Sequence, residues 1–181
     1  MKRVTKILGI TTILFFAVFA TAQTRPDFSG RWTSEPEPAA TAASVGGRSG
    51  ERAGDPGSGW GSNIAITQTA DRLTVEYAFF ARGDMQPPLK FVFALDGSET
   101  KNSVMMGRGI QAQTSKTAWE GDKLVITTTH NFDNPANGQP MKVEVKQTLT
   151  LTSSTTLVVE TTRSGVSGGS ATTTRTVFQK A

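Results

Sequence analysis

The stretch MKVEVKQTLTLTSSTTLVVETTR, residues 141–163, alternates polar and apolar side chains on both sides of a Ser153-Ser154 pair. A period of two is typical of a β-strand with one face in water, because successive side chains point to opposite faces. Lys142, Glu144 and Lys146 belong in water and fix which face is outside. The pattern predicts two antiparallel strands that are joined by a tight turn and buried on one face.

The same alternation recurs along the rest of the chain, where Val, Ile, Thr and Phe dominate. We predict ten strands, at 28–34, 63–69, 72–80, 89–95, 99–106, 111–120, 123–132, 141–152, 155–163 and 171–179. Tight turns alternate with longer links at 35–61, 81–88, 107–110, 133–140 and 164–170. Every second connection of a meander falls at the same end, so one end is closed by turns and the other carries loops. The sequence therefore predicts an all-β fold, an antiparallel up-and-down β-barrel of about 8–10 strands.

The first 22 residues combine a basic start, an apolar run from Ile7 to Ala20 and small residues up to Ala22. This arrangement predicts a signal peptide at 1–22, a single barrel domain at 23–181 and a secreted or periplasmic protein without a membrane span after cleavage. Loss of the three basic residues in the signal leaves 16 basic and 15 acidic residues. With a net charge of +1 and no basic run, the chain is not expected to bind nucleic acid.

Residues 35–61 are rich in Gly, Ala, Pro and Ser, and they hold too little apolar surface to offset the entropy of ordering them. We predict a long disordered or lid loop there. The chain has no Cys, which excludes a lipid-anchored Cys, a thiolate metal site and a Cys nucleophile. An exported chain without disulfides depends on its apolar core for stability.

Strand parity and turn positions place a set of inward side chains near the open end of the barrel. They are Val143 and Thr161 together with the predicted ligand-binding residues Tyr77, Phe79, Phe91, Met106, His130, Phe132, Val145 and Arg163. This apolar bowl with a cation at its rim suits a small hydrophobic or amphipathic ligand whose anionic group meets Arg163. The alternative is a filled barrel that serves as an envelope interaction or structural module.

Catalysis has no residue set to support it, since no Gly-x-Ser-x-Gly motif is present and most carboxylates fall on outward faces or in turns. We predict that the protein is not an enzyme and carries no metal or cofactor. His130 is the only His, so a one-sided haem ligand is a less favoured alternative. An outer-membrane barrel is also less favoured, because several strands are short and the chain has a single Tyr.

FSGRW at 28–32 and TTTRTVF at 172–178, joined by a meander, resemble the lipocalin-like or calycin barrels. TAWEGDKLVITTT at 117–129 is similar to a segment of exported bacterial proteins that begin with FSGxW. In the lipocalin-like group, an Arg on the last strand packs across the Trp of a Gly-x-Trp motif at the closed end. The resemblance implies that Gly30, Trp32 and Arg175 form the barrel floor as structural residues, and that the 35–61 loop is a lid.

Overall fold

The computed structural model describes residues 25–35, 59–77, 89–106, 109–133, 138–164 and 170–181, without the side chains of 104–106, 109–111 and 132–133. The predicted signal peptide and most of the predicted 35–61 loop lie outside these residues. All regular structure in the described part is β. The strands are β1 (Gly30–Ser34), β2 (Asn63–Gln68), β3 (Arg72–Tyr77), β4 (Leu89–Ala94), β5 (Thr100–Met106), β6 (Gly109–Glu120), β7 (Lys123–Asp133), β8 (Pro140–Ser153), β9 (Thr156–Arg163) and β10 (Thr172–Lys180).

The strands form one antiparallel sheet in the order β4-β3-β2-β1-β10-β9-β8-β7-β6-β5. Consecutive strands are hydrogen-bonded neighbours except β4 and β5, which form the two edges of the sheet, and β1 pairs with β10, so that the first and last strands meet in the middle. The sheet curves into a nearly closed barrel, which confirms the predicted up-and-down architecture. Within the described residues, no helix has the length and the apolar character that a membrane crossing requires.

The predicted strand ends agree with the observed ones to within two residues wherever the chain is described, and residues 78–80 of the predicted third strand lie outside the described part. One connection differs. Residues 107–110 were expected to form a longer link, but β6 begins at Gly109, which pairs with Met106 of β5. Glycine is tolerated at a strand end, so Gly109 alone did not mark a loop.

The barrel closes between β4 and β5 through side chains instead of a backbone ladder. The Asn102 amide spans this gap: Val92 N donates to Asn102 Oδ1 at 2.8 Å, and Asn102 Nδ2 donates to Val92 O at 3.0 Å. The Thr117 hydroxyl, from β6, donates to the carbonyl of Ala94. An amide side chain carries one acceptor and two donors. The Asn102 side chain can therefore make the two hydrogen bonds to the Val92 backbone that a residue of a neighbouring strand would make.

Inward and outward faces follow the predicted parity. Glu76 and Lys90 pair on the outer face at 3.2 Å, while their neighbours Val75 and Phe91 are buried. The interior forms one apolar cluster that includes Phe28, Trp32, Trp60, Ile64, Ile66, Leu73, Val75, Phe93, Leu124, Ile126, Leu149, Leu157, Val159 and Phe178. Burial of this apolar surface is the main source of stability for a chain without disulfides.

Candidate functional site

The segment before β1 covers the closed end of the barrel. Phe28 N donates to Gln68 Oε1 at 3.0 Å, and Gln68 Nε2 donates to the carbonyl of Pro26 at 2.9 Å. Phe28 is fully buried and stacks on Trp119, with ring centroids 6.1 Å apart. The guanidinium of Arg25 lies 5.1 Å from the centroid of the Trp119 ring. The first strand therefore begins at Gly30, two residues later than predicted, because Phe28 and Ser29 belong to the floor.

Trp32 is the center of this floor, as the Gly-x-Trp motif implied, but its cationic partner was predicted wrongly. Trp32 is only 1 % exposed, and its Nε1 donates to the carbonyl of Phe28 at 3.0 Å. Lys180, not Arg175, lies over the ring, with Nζ at 5.4 Å from the centroid. Arg175 is exposed and pairs across the ladder with Glu160. Strand parity explains the correction, because Arg175 is three residues from the buried Phe178 and so faces outward, whereas Lys180 shares the inward parity.

Gly30 is required where β1 passes Lys180. Its φ is +150°, a conformation that residues with a Cβ rarely adopt. A Cβ at this position would lie 2.8 Å from Lys180 Cε and 3.4 Å from Trp32 Nε1. Gly30 thus leaves room for the Lys180 side chain, and Trp32 provides the ring that this side chain covers.

Trp60 enters the barrel from the end of the predicted 35–61 loop. It is 4 % exposed and belongs to the apolar cluster, with its ring centroid 6.4 Å from that of Phe93. Gly59 and Gly61 flank it with φ of +80° and +75°, in the left-handed region that favours glycine. The described end of this loop, residues 59–61, is therefore packed against the barrel interior through Trp60, and the rest of the predicted disordered or lid loop beyond Glu35 lies outside the described residues.

An aromatic wall lies on β3 and β4. Tyr77 stacks on Phe91 with centroids 5.7 Å apart and 5° between the ring planes, and Phe91 stacks on Phe93 at 6.4 Å and 12°. Tyr77 and Phe91 are 8 % and 7 % exposed. Burial raises the pKa of the Tyr77 hydroxyl. Two predicted ligand-binding residues therefore contact each other directly and form part of a continuous apolar surface.

A polar wall runs along β6 to β9, and its β6 end adjoins β4 where the barrel closes. Its buried members are Gln113, Ser115, Thr117, Thr128, Gln147 and Thr161. The hydroxyls of Ser115 and Thr128 are 2.8 Å apart and share a hydrogen bond. Thr161 is fully buried, and its Oγ1 has no hydrogen-bond partner among the described residues. A buried hydroxyl without a hydrogen-bond partner is uncommon and lowers the stability of the folded protein.

His130 and Arg163 stand at the rim of the polar wall, where the predicted ligand-binding set placed them. Arg163 pairs across the ladder with Val145, and His130 pairs with Gln113 and Val143. Burial lowers the pKa of His130 below its ordinary value of 6.5, and the positive charge of Arg163 lowers it further. The imidazole is therefore neutral at pH 7, and the guanidinium supplies the charge at this rim.

Exposure rises toward the open end along β7, β8 and β9. On β8, Leu149 and Gln147 are buried and Val145 is half-buried. Thr128 and Thr161 are buried, whereas the next inward residues, His130 and Arg163, are half-buried. The lower half of the barrel is thus filled with side chains, and the rim is where solvent reaches the interior.

Three predicted ligand-binding residues lie wholly or in part outside the described residues. Phe79 lies outside the described residues, and the side chains of Met106 and Phe132 are not described, although their strands are. Sequence reasoning missed Trp60 as a core residue and Lys180 as the cation over Trp32. The Gly-Trp-Gly triplet was the available signal for Trp60, and the parity of Phe178 was the signal for Lys180.

Two further features of the described residues lie apart from this rim. A groove of about 340 Å³ runs along the outer surface beside the β4 and β5 edges, lined by Arg72, Val92, Ala94, Ser98, Glu99, Thr100 and Lys101. No group of three or more His, Cys, Asp or Glu side chains in the described part of the chain could hold a metal ion.

The chain was also compared with known proteins. It matches no protein-family model and no curated protein sequence. The resemblance to lipocalin-like barrels therefore stays a prediction from the FSGRW and TTTRTVF segments.

Proposed function

We propose that this protein is an exported, non-catalytic binding protein that holds a small hydrophobic or amphipathic molecule in the upper half of its barrel. The observation that carries the proposal is the change from buried to half-buried inward residues at one level of the polar wall. This change separates Thr161 from Arg163 on β9 and Gln147 from Val145 on β8. Concave sites with an apolar lining and a few polar groups are typical of small-molecule binding.

The charge at the rim supports an anionic group on the ligand. Arg163 is a permanent cation on the inward face of β9, while Glu160 on the same strand and Glu144 on the neighbouring strand are exposed on the outer face. A guanidinium can form paired hydrogen bonds with a carboxylate, and these are stronger than bonds between neutral groups.

The outer face of the barrel supports a location in water. Lys90 pairs with Glu76 at 3.2 Å, and Lys146 pairs with Glu120 at 3.8 Å. Charges of both signs on an outward face are unfavourable in lipid. Together with the signal-like first 22 residues, they favour a soluble protein in the periplasm or outside the cell.

Native mass spectrometry of the protein purified from its own host tests the proposal, because a bound molecule adds a discrete mass. Titration with two fluorescent probes, anionic cis-parinaric acid and neutral N-phenyl-1-naphthylamine, then tests the role of the rim. We expect Arg163→Leu to weaken the anionic probe about 10- to 100-fold, as for loss of a charge-assisted hydrogen bond, and to leave the neutral probe unchanged. Arg175→Leu removes an exposed outward cation from the adjacent strand and serves as the matched control.

Repeated isolation of a ligand-free protein, together with flat titrations of both probes, would contradict the binding function. That result favours the filled barrel, an envelope module that binds its partners with loops or an edge. Equal losses of affinity for both probes in Arg163→Leu would instead contradict the assignment of Arg163 as the partner of an anionic group.

A further inference from the structure

We propose that His130 is a second contact for the anionic group of the ligand, and that this contact forms only when the imidazole is protonated. The barrel then binds an anion more tightly in mildly acidic solution than at neutral pH. This inference rests on the proposed binding function and describes how that same site is regulated. Its basis is the position of His130 and Arg163 on either side of β8.

His130 and Arg163 flank β8 at the open end of the barrel. Val145 of β8 pairs with Arg163 of β9, and Val143, the next inward residue on β8, pairs with His130 of β7. Neighbouring strands are about 4.8 Å apart, so β7 and β9 are separated by about 10 Å across β8. All four side chains are half-buried, so solvent reaches the surface between the two basic groups. An anion that Arg163 holds over the valines is therefore within reach of the imidazole.

The strands beside His130 present no carboxylate to it in the described part of the chain. Its ladder neighbour on β6 is Gln113, which pairs in turn with Asn102 of β5. The charges of β8 near this level are Lys142 and Glu144, and both are exposed, with the opposite parity from the inward valines. The amides on β5 and β6 are uncharged at every pH, so they do not offset a charge on the imidazole.

The rest of the described interior near the rim is also without a negative charge. Burial raises the pKa of the Tyr77 hydroxyl, which is therefore neutral in mildly acidic solution. The described Asp and Glu side chains are exposed, except Glu76, which is half-buried and pairs with Lys90 on the outer face. Burial and the positive charge of Arg163 both lower the pKa of His130. In the unliganded protein, the imidazole is thus held in its neutral form.

An anionic ligand reverses part of this effect. Bound beside Arg163, it offsets the positive charge that disfavours the imidazolium, so binding raises the pKa of His130 relative to the unliganded protein. By linkage, a ligand that raises the pKa of a group binds more tightly as that group gains its proton. The affinity for an anion therefore increases as the pH falls through the mildly acidic range, where the protonated imidazole adds a charge-assisted hydrogen-bond donor.

Two fluorescent probes with the same ring system test the inference. They are 8-anilinonaphthalene-1-sulfonate, whose sulfonate stays ionised in this range, and the neutral N-phenyl-1-naphthylamine, which lacks the sulfonate. Titrations at pH 7.5 and pH 5.5 span the ordinary pKa of histidine, and near-ultraviolet circular dichroism checks that the protein is folded at both. We expect the sulfonate to bind about three- to tenfold more tightly at pH 5.5, because one pKa unit corresponds to a tenfold change in affinity. The affinity for the neutral probe should stay the same.

His130→Gln keeps a polar side chain that cannot gain a proton. Its affinity for the sulfonate should be equal at the two pH values. Calorimetry in buffers of different ionisation enthalpy should show proton uptake on binding in the wild type and none in the variant. Asn131→Gln is the matched control, because Asn131 is the exposed neighbour of His130 and has the opposite parity. This control should keep the wild-type increase in affinity.

A sulfonate affinity that does not depend on pH in the wild type would overturn the role of His130 and leave the proposed function standing. An increase that persists in His130→Gln would also overturn it, because another group would then bind the proton. The same holds if both probes gain affinity at pH 5.5, since that result would reflect a general change in the barrel. If neither probe binds at either pH, the proposed function fails as well.

Discussion

Lys180 Nζ lies 5.4 Å from the centroid of the Trp32 ring, and Lys180 Cε lies only 2.8 Å from where a Cβ on Gly30 would be. Lys180 and Trp32 are also direct partners across the β1–β10 ladder. The last strand therefore covers the Trp of the first strand, and this contact links the two ends of the described chain at the closed end of the barrel.

The contribution of this contact can be measured directly. We expect Lys180→Ala to lower the free energy of unfolding by about 0.5–1 kcal/mol, the range for a cation over an aromatic ring at an exposed site. Urea unfolding at pH 7 gives this value. Arg175→Ala is the control, since Arg175 is exposed on the opposite face of β10 and should change stability little. Equal effects of the two substitutions would contradict the assignment of Lys180 as the partner of Trp32.

Trp60 is expected to be one of the most stabilising residues outside the strands. Trp60→Ala removes a ring that is 4 % exposed and packs near Phe93, so we expect a loss of about 3–5 kcal/mol in the free energy of unfolding. Ser62→Ala, at an exposed side chain two residues away, should change stability by less than about 0.5 kcal/mol. A wild-type unfolding midpoint for Trp60→Ala would mean that Trp60 does not pack in the interior.

Asn102 holds the edge between β4 and β5. Asn102→Ala leaves the N–H and the carbonyl of Val92 without their partners, and we expect a destabilisation of about 1–3 kcal/mol. Amide hydrogen exchange gives a local readout, because the Val92 amide should exchange faster in the variant than in the wild type. Ser103→Ala, at the exposed neighbouring position, is the control. Unchanged exchange at Val92 would show that Asn102 does not close the barrel.

His130 should make stability depend on pH in the mildly acidic range. Its pKa is lowered by burial and by Arg163 on β9, and Gln113 on β6 and Val143 on β8 are its uncharged neighbours across the ladders. Below pH 6.5 the unfolded chain binds a proton that the folded chain does not, so stability falls as the pH drops from about 6.5 toward the lowered pKa.

His130→Gln removes this titration. We expect the loss of stability between pH 7.5 and pH 5.5, measured by urea unfolding, to be smaller in the variant than in the wild type. An identical pH dependence in the two proteins would mean that the imidazole has the same pKa in the folded and unfolded states.

Alternation along the strands was enough to predict the strands and their inward faces. Lys142, Glu144 and Lys146 fixed the outer face of β8, and the same reasoning assigned Phe91 and Leu149 to the interior, where both are buried. The reason is local: strand periodicity and the cost of burying a charge act on each strand separately, so neither depends on which strands are neighbours.

Contacts between distant parts of the chain were decided only by the tertiary structure. Three contacts depend on the register or the end of another element. They are the position of Lys180, instead of Arg175, over Trp32, the Asn102 amide between β4 and β5, and the packing of Trp60 beside Phe93. A period of two tells which side chains point inward, but the closure of the sheet determines which of them meet.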